Sequence, residues 1–181
     1  MKIDTFKILL CSILIISSCA NSDNTNYSFE SEFLAQYRNY NFGIFKNHIT
    51  TIREYDESGN PVIMISETGI NSKGCHLPLT VVLNKKEGSV RNIKQNLKNI
   101  VGNCYLDTVT MTRLAIEMYS IKLSSIRVDS NNNIFVGKKF GKTKVYFAYF
   151  PDTTKVTNQQ FKFWRIIEDK WYKRIKSNPP Y

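Results

Sequence analysis

Histidine is nearly missing: the chain has two, His48 and His76, among 181 residues. That leaves few side chains able to take or give a proton near neutral pH. Neither sits at a catalytic spacing. His48 lies in a stretch of strand character, where a half-buried or surface imidazole is the ordinary reading. His76 adjoins Cys75, and neighbours on an extended chain point to opposite sides. There is no Gly-rich phosphate loop, no G-x-S-x-G elbow, no H-E-x-x-H pair and no EF-hand loop. Asp129-Ser130-Asn131-Asn132-Asn133 lacks the glycine and the closing Glu of a calcium loop and reads as a solvated turn. The acid pairs Asp56-Glu57 and Glu168-Asp169 also fall in turns. An enzyme is therefore disfavoured, and neither cofactor nor metal is implied. Long hydrophobic runs are missing too. The longest, Ile8–Ile16, is broken only by Ser12. It is about half the roughly 20 residues that a spanning helix needs.

What is present begins with an export signal. Lys2 and Lys7 supply positive charge, residues 8–16 an apolar core, and Ser17 and Ser18 small residues before Cys19. The segment Ile16-Ser17-Ser18-Cys19 resembles the lipobox of bacterial lipoproteins, with Ile16 where Leu is usual. The resemblance implies thioether lipidation of Cys19, removal of residues 1–18, and acylation of the new amino terminus by a chain such as palmitate. It also implies residence at the bacterial cell envelope, outside the cytoplasm. Several acyl chains hold a protein firmly where one does not. Residues 20–26 are small and polar and read as a flexible tether. The expected division is 1–18 signal peptide, 19–26 lipidated cysteine and tether, and 27–181 a single globular domain, long enough to bury a core of its own.

Loss of residues 1–18 removes Lys2, Lys7 and Asp4, taking the net charge from +10 to +9. Of the four cysteines, Cys11 goes with the signal and Cys19 carries lipid. Cys75 and Cys104 remain, an even pair in an oxidising compartment, so a disulfide is expected. It would close a loop of about 30 residues and contribute on the order of 3–4 kcal/mol. The alternatives are two free thiols, or a metal site of Cys75, His76 and Cys104 that lacks a fourth ligand at a recognisable spacing.

Helical periodicity puts Phe29, Phe33, Leu34 and Tyr37 on one face of a helix within residues 27–39. A hairpin follows, Ile44–Tyr55 and Val62–Ser66, turning through Asp56–Pro61. A loop carries Cys75, and Leu79–Leu83 reads as a short buried strand. Val90, Ile93, Leu97 and Ile100 repeat at helical spacing, which predicts a helix over 88–101. A further helix runs from Asp107 to Leu123, burying Met111, Leu114, Met118 and Ile121. Strands at Ser125–Val128, Ile134–Phe140, Lys144–Phe150, Phe161–Ile167 and Trp171–Ile175 then form an antiparallel meander. No internal repeat is evident. Runs of strands beside runs of helices indicate an α+β fold, helices on a bent antiparallel sheet. In element order alone this is similar to the cystatin-like and NTF2-like cone folds.

The positive charge is concentrated. From Lys138 to Lys176 there are 11 Lys and Arg against three acids, interleaved with ten aromatic residues. Such a sheet suits an acidic protein, an anionic lipid or a glycan. A nucleic acid is not expected outside the cytoplasm. The bland account is that aromatics favour strands and lysines guard sheet edges. The candidate partner-binding residues are Lys138, Lys144, Lys162, Trp164, Trp171 and Lys173. The function these features suggest is a non-catalytic, membrane-anchored binding module for an envelope component, or of inhibitor or immunity type. The alternative is a cone-fold small-ligand binder or enzyme with a pocket between the second helix and the sheet. That pocket would be lined by residues among Tyr119, Tyr146, Tyr149 and Trp164, with His48 or an acid inside. Metabolic labelling with a clickable fatty acid checks the anchor. The full chain should take up label and lose residues 1–18, and Cys19→Ser should do neither.

Overall fold

The computed structural model describes residues 24–68, 78–95, 108–155 and 162–175. Cys19, His76 and the Cys75–Cys104 pair lie outside these residues. The fold is α+β, with two α-helices and a nine-stranded antiparallel sheet among the described residues. The chain divides into two compact units at Tyr40/Asn41.

The first unit contributes helix α1, Asn24–Tyr37. Its buried residues are Glu30, Phe33, Leu34 and Tyr37, a spacing that keeps one stripe from turn to turn. Burial pushes the Tyr37 phenol up to about 12, and the nearby Glu32 carboxylate adds to the shift.

The second unit opens with a 3-10 turn, Phe42–Phe45, capped by the Asn41 side chain accepting from the Gly43 N–H at 2.9 Å. Strands β1 (His48–Tyr55), β2 (Pro61–Glu67), β3 (Leu79–Leu83) and β4 (Val90–Gln95) form one meander. Helix α2 (Thr108–Ser120) follows. Strands β5 (Ser125–Val128), β6 (Ile134–Phe140), β7 (Thr143–Tyr149), β8 (Trp164–Glu168) and β9 (Trp171–Arg174) complete the sheet. The order is β4-β3-β2-β1-β5-β6-β7-β9-β8. A seam between β1 and β5, from His48 opposite Val128 to Thr51 opposite Ser125, joins the β1–β4 meander to the second half. The meander expected over the last five strands is corrected there: β9, not β8, pairs with β7, and β8 lies outside it as the edge strand.

Helix α2 buries Met111, Leu114, Ala115 and Met118 over β1, β2 and β3. Ile63, Ile65, Leu79, Val81 and Leu83 are fully buried in those strands. The helix ends one turn earlier than periodicity suggests, and Ile121 is only half-buried. Its end is a Schellman motif. The Lys122 N–H donates to Tyr119 O, the Leu123 N–H donates to Met118 O, and buried Leu123 and Met118 supply the accompanying apolar residues. Lys122 holds the left-handed position at φ 57°, where glycine is usual.

The helix expected over 88–101 is corrected by the structure over residues 90–95, and 96–101 lie outside the described residues. Val90–Gln95 is a strand, paired with β3 from Leu83–Val90 to Leu79–Gln95. The reason is tertiary. Strand β3 would otherwise leave a row of amide and carbonyl groups unpaired. The turn Asn84–Ser89 brings the chain back antiparallel. Asn84 accepts from the Gly88 N–H through its carbonyl and from the Lys86 N–H through its side chain, while Gly88 takes φ 67°. Register with a neighbour outweighs a helical period carried by four apolar residues.

One pattern recurs within the chain. Hairpins β1–β2 and β5–β6 turn through the same D-x-x-x-N motif, Asp56–Asn60 and Asp129–Asn133. In each, the Asp carboxylate accepts from both the backbone and the side-chain amide of the Asn, at 2.8 and 3.0 Å in the first and 2.9 and 3.0 Å in the second. In each, the fourth residue has positive φ, Gly59 at 74° and Asn132 at 60°. Asp129 also accepts from the Asn131 N–H at 2.9 Å, so its carboxylate closes the turn on itself. In element order the chain thus runs helix then antiparallel strands twice, with the same turn in both halves.

The first turn is also tied to the next hairpin, because Asn60 Oδ1 accepts from the Lys85 N–H at 3.1 Å. The Asn60 side chain, then its backbone N–H, holds the Asp56 carboxyl below its ordinary range. Asn60→Ala should cost about 1–3 kcal/mol, since it leaves a shielded N–H without an acceptor. Asn133→Ala should cost less, because no third strand depends on it. Urea unfolding of both variants checks the ranking. The stabilisation from Asp56 should be full above its unfolded value of 3.8 and be lost as the pH falls through the lower folded value.

Candidate functional site

Strand register sorts the basic and aromatic residues of β5–β9 onto two faces, because cross-strand partners share a face and neighbours alternate. Lys138, Trp171 and Lys173 share one face with Val136, Val145 and Phe147. Lys138 is 6 % exposed and Trp171 5 %. Trp171 packs with Phe42 and Tyr149, at ring separations of 6.2 and 5.2 Å. The Lys138 ammonium sits 5.4 Å from the Phe140 ring centre. Lys173 is half-buried. Lys138 and Trp171 are core residues, so these two of the six candidates do not form a surface. Lys162 is exposed in the turn before β8.

Lys144 and Trp164 lie on the opposite face. There the structure joins them to residues that sequence reasoning passed over. Arg127 pairs across the strands with Phe135, and its guanidinium lies 5.3 Å over that ring. Arg174 pairs with Trp164 and lies 5.9 Å over the indole. The Lys144 ammonium is 5.0 Å over Tyr146. Phe135, Phe150, Trp164 and Tyr172 pack around Ala148, with ring separations of 5.3–6.3 Å. Beside them Ile166, on the edge strand β8, is 58 % exposed. Arg174 Nε and Nη1 and Arg127 Nε are shielded and have no hydrogen-bond partner. One edge of each guanidinium is therefore already stripped of water, which lowers the further desolvation that association would require.

A second feature opens beside the C-terminal end of α2. A cavity of about 530 Å³ is lined by Lys85, Lys86, Lys122, Lys139, Tyr55 and Tyr119. Ile52, Ile116 and Leu123 add apolar surface, and Glu87 is its one acid. The Tyr119 hydroxyl donates to Lys85 O at 3.0 Å, tying the Asn84–Ser89 turn to the helix. The Lys139 ammonium lies 5.6 Å over the Tyr55 ring. Of the residues expected to line a helix–sheet pocket, Tyr119 is here and Tyr146, Tyr149, Trp164 and His48 are not. His48 donates from Nδ1 to Lys46 O at 2.7 Å, a local bond at the start of β1.

Comparison with known proteins finds no match: no protein family fits the chain, and no curated protein or solved structure is similar to it. Site chemistry alone therefore carries the functional reading. Among the described residues no group of three His, Cys, Asp or Glu is placed to hold a metal ion. No helix among them is long and apolar enough to cross a membrane.

Sequence reasoning missed Arg127, Arg174 and the four lysines of the cavity for one reason. Arg127 and Arg174 lie 47 positions apart along the chain and share a sheet face only through strand register, and Lys85 and Lys139 lie 54 positions apart and line one cavity. One local signal was available: Lys122 stands directly past a helix end, where glycine is favoured.

The two-face assignment has a direct test. Lys138→Glu should destabilise the chain by more than about 2 kcal/mol, since it places a carboxylate against an aromatic face away from water. Lys144→Glu should stay within about 0.5 kcal/mol, as exposed substitutions do. Thermal or urea unfolding separates them.

Proposed function

We propose that the chain is a lipid-anchored, extracytoplasmic lipoprotein of a bacterial envelope, held through Cys19. We further propose that its domain is a non-catalytic binding module for an acidic protein surface, of inhibitor or immunity type or an envelope component. The observation that carries this reading is the arginine–aromatic face. Trp, Tyr and Arg dominate the energetics of protein interfaces. Here Trp164, Tyr146 and Tyr172 sit beside Arg127 and Arg174 on one side of a rigid sheet. The Arg127 guanidinium, held over Phe135 with only Nε shielded, keeps its two terminal nitrogens as a planar fork, the geometry that carboxylates accept in pairs, while Arg174 adds positive charge beside it. No carboxylate among the described residues answers these two arginines.

Helices beside one large antiparallel sheet support reading the domain as a cystatin-like or NTF2-like cone fold. The cavity beside α2 supports the second functional reading, a small-ligand site between helix and sheet.

The test is a crosslinking capture from envelope extract with the full chain, at low and high salt. A dominant acidic partner should be retained at low salt and released at high salt. Arg127→Glu with Arg174→Glu should weaken its capture at least tenfold, about 1.4 kcal/mol, while Lys94→Gln on β4 leaves it unchanged. Undiminished capture by the double variant would remove the sheet face from the interface.

A further inference from the structure

The geometry points to the cavity beside α2 as a binding site for a phosphate-bearing ligand, held by Lys85, Lys86, Lys122 and Lys139 with Tyr55 and Tyr119 as an aromatic wall. This is separate from the arginine–aromatic face and does not depend on it.

Three observations converge. The first is charge. Four lysines line one concavity of about 530 Å³ against a single acid, the Lys139 ammonium lying over the Tyr55 ring, and Glu87 is engaged by the Ser89 hydroxyl at 2.9 Å. Among the described residues no carboxylate lies in salt-bridge range of the four lysines. Like charges gathered in a concave, partly apolar site repel one another, and field lines focus there, so an anion gains more than it would at an open surface. The second is backbone strain. Lys122 occupies the left-handed C′ position of the helix at φ 57°, where a residue with a Cβ is disfavoured and glycine is not. A strained residue at such a position is a pointer to function, and Lys122 lines the cavity. The third is preorganisation. The Tyr119 hydroxyl bond to Lys85 O and the Asn60 bond to the Lys85 N–H fix the turn that carries Lys85 and Lys86. The lysines are thus mounted on a held frame.

The choice of cation sets the ligand class. Every cation lining the cavity is lysine, whereas the stacked guanidiniums lie on the sheet face. Lysine is a compact point charge that suits a multiply charged tetrahedral anion, while arginine suits planar bidentate recognition. The apolar floor of Ile52, Ile116 and Leu123, with the two tyrosines, accommodates a ring or short alkyl portion attached to the phosphate. A soluble phosphate ester and a lipid headgroup share this chemistry.

Titration calorimetry on the full chain tests it with three probes: inorganic pyrophosphate, glycerol 3-phosphate, and dihexanoyl phosphatidylglycerol below its micelle concentration. Dihexanoyl phosphatidylcholine controls for acyl chains without net charge. At low salt at least one anionic probe should bind one to one and weaken as salt rises. Lys122→Gly with Lys139→Gln should weaken it at least about tenfold, while Lys94→Gln on β4 leaves it unchanged. The unfolding midpoint of Lys122→Gly should hold or rise, because relief of the left-handed strain guards against misfolding as the cause. Tightest binding by the free esters supports a soluble source, and tightest binding by the glycerolipid supports a headgroup. Binding of every anionic probe weaker than about 10 mM, or equal binding by the double variant, would overturn the site.

Discussion

Four backbone pairs between β1 and β5 hold the sheet together. Residues 48–51 meet 125–128 across more than 70 positions of chain, so the entropy of closing that loop must be met before the contact contributes. Every other pairing is between consecutive strands except β7 with β9. Without the seam there would be two smaller sheets, each with an unpaired inner strand. With it there is one surface broad enough to cover with α2 on one half and to carry the arginine–aromatic cluster on the other. The buried Thr50 and Ile126 face each other within the seam, and the Asn47 N–H donates to Val128 O beside it.

The two candidate sites use positive charge differently. On the sheet face the cations are fixed over rings, partly dehydrated and planar. Beside α2 they are flexible ammoniums around a concavity. The first arrangement suits a macromolecular surface, where orientation matters and desolvation is shared among many groups. The second suits a small anion that the side chains can close around. The cavity holds none of the six candidates, and the sheet face holds only Lys144 and Trp164 of them, because Lys138, Trp171 and Lys173 alternate onto the face shared with the core.

Much of the fold was legible because its cues are local. Apolar spacing placed α1 and α2 to within a few residues, and turn chemistry placed the hairpins of β1–β2, β5–β6 and β8–β9. Strand β4 was misread because Val90 and Ile93 sit three apart, a helical interval, and the alternation of a strand is weak on an edge where one side faces water. The recurring D-x-x-x-N turn was visible in the letters, yet its equivalence emerged only when the same carboxylate–amide bonds formed in both hairpins.

By itself the sequence determined the local matters: the lipobox-like segment before Cys19, the α+β class, the helix faces and the excess of positive charge. These depend on interactions within a few residues, whose range the covalent chain sets. Only the tertiary structure decided which lysines are buried, which arginines lie over which rings, and that Lys85, Lys122 and Lys139 surround one cavity. Strand register makes those choices. A one-residue slip exchanges the faces of a strand, and register is set by partners far along the chain.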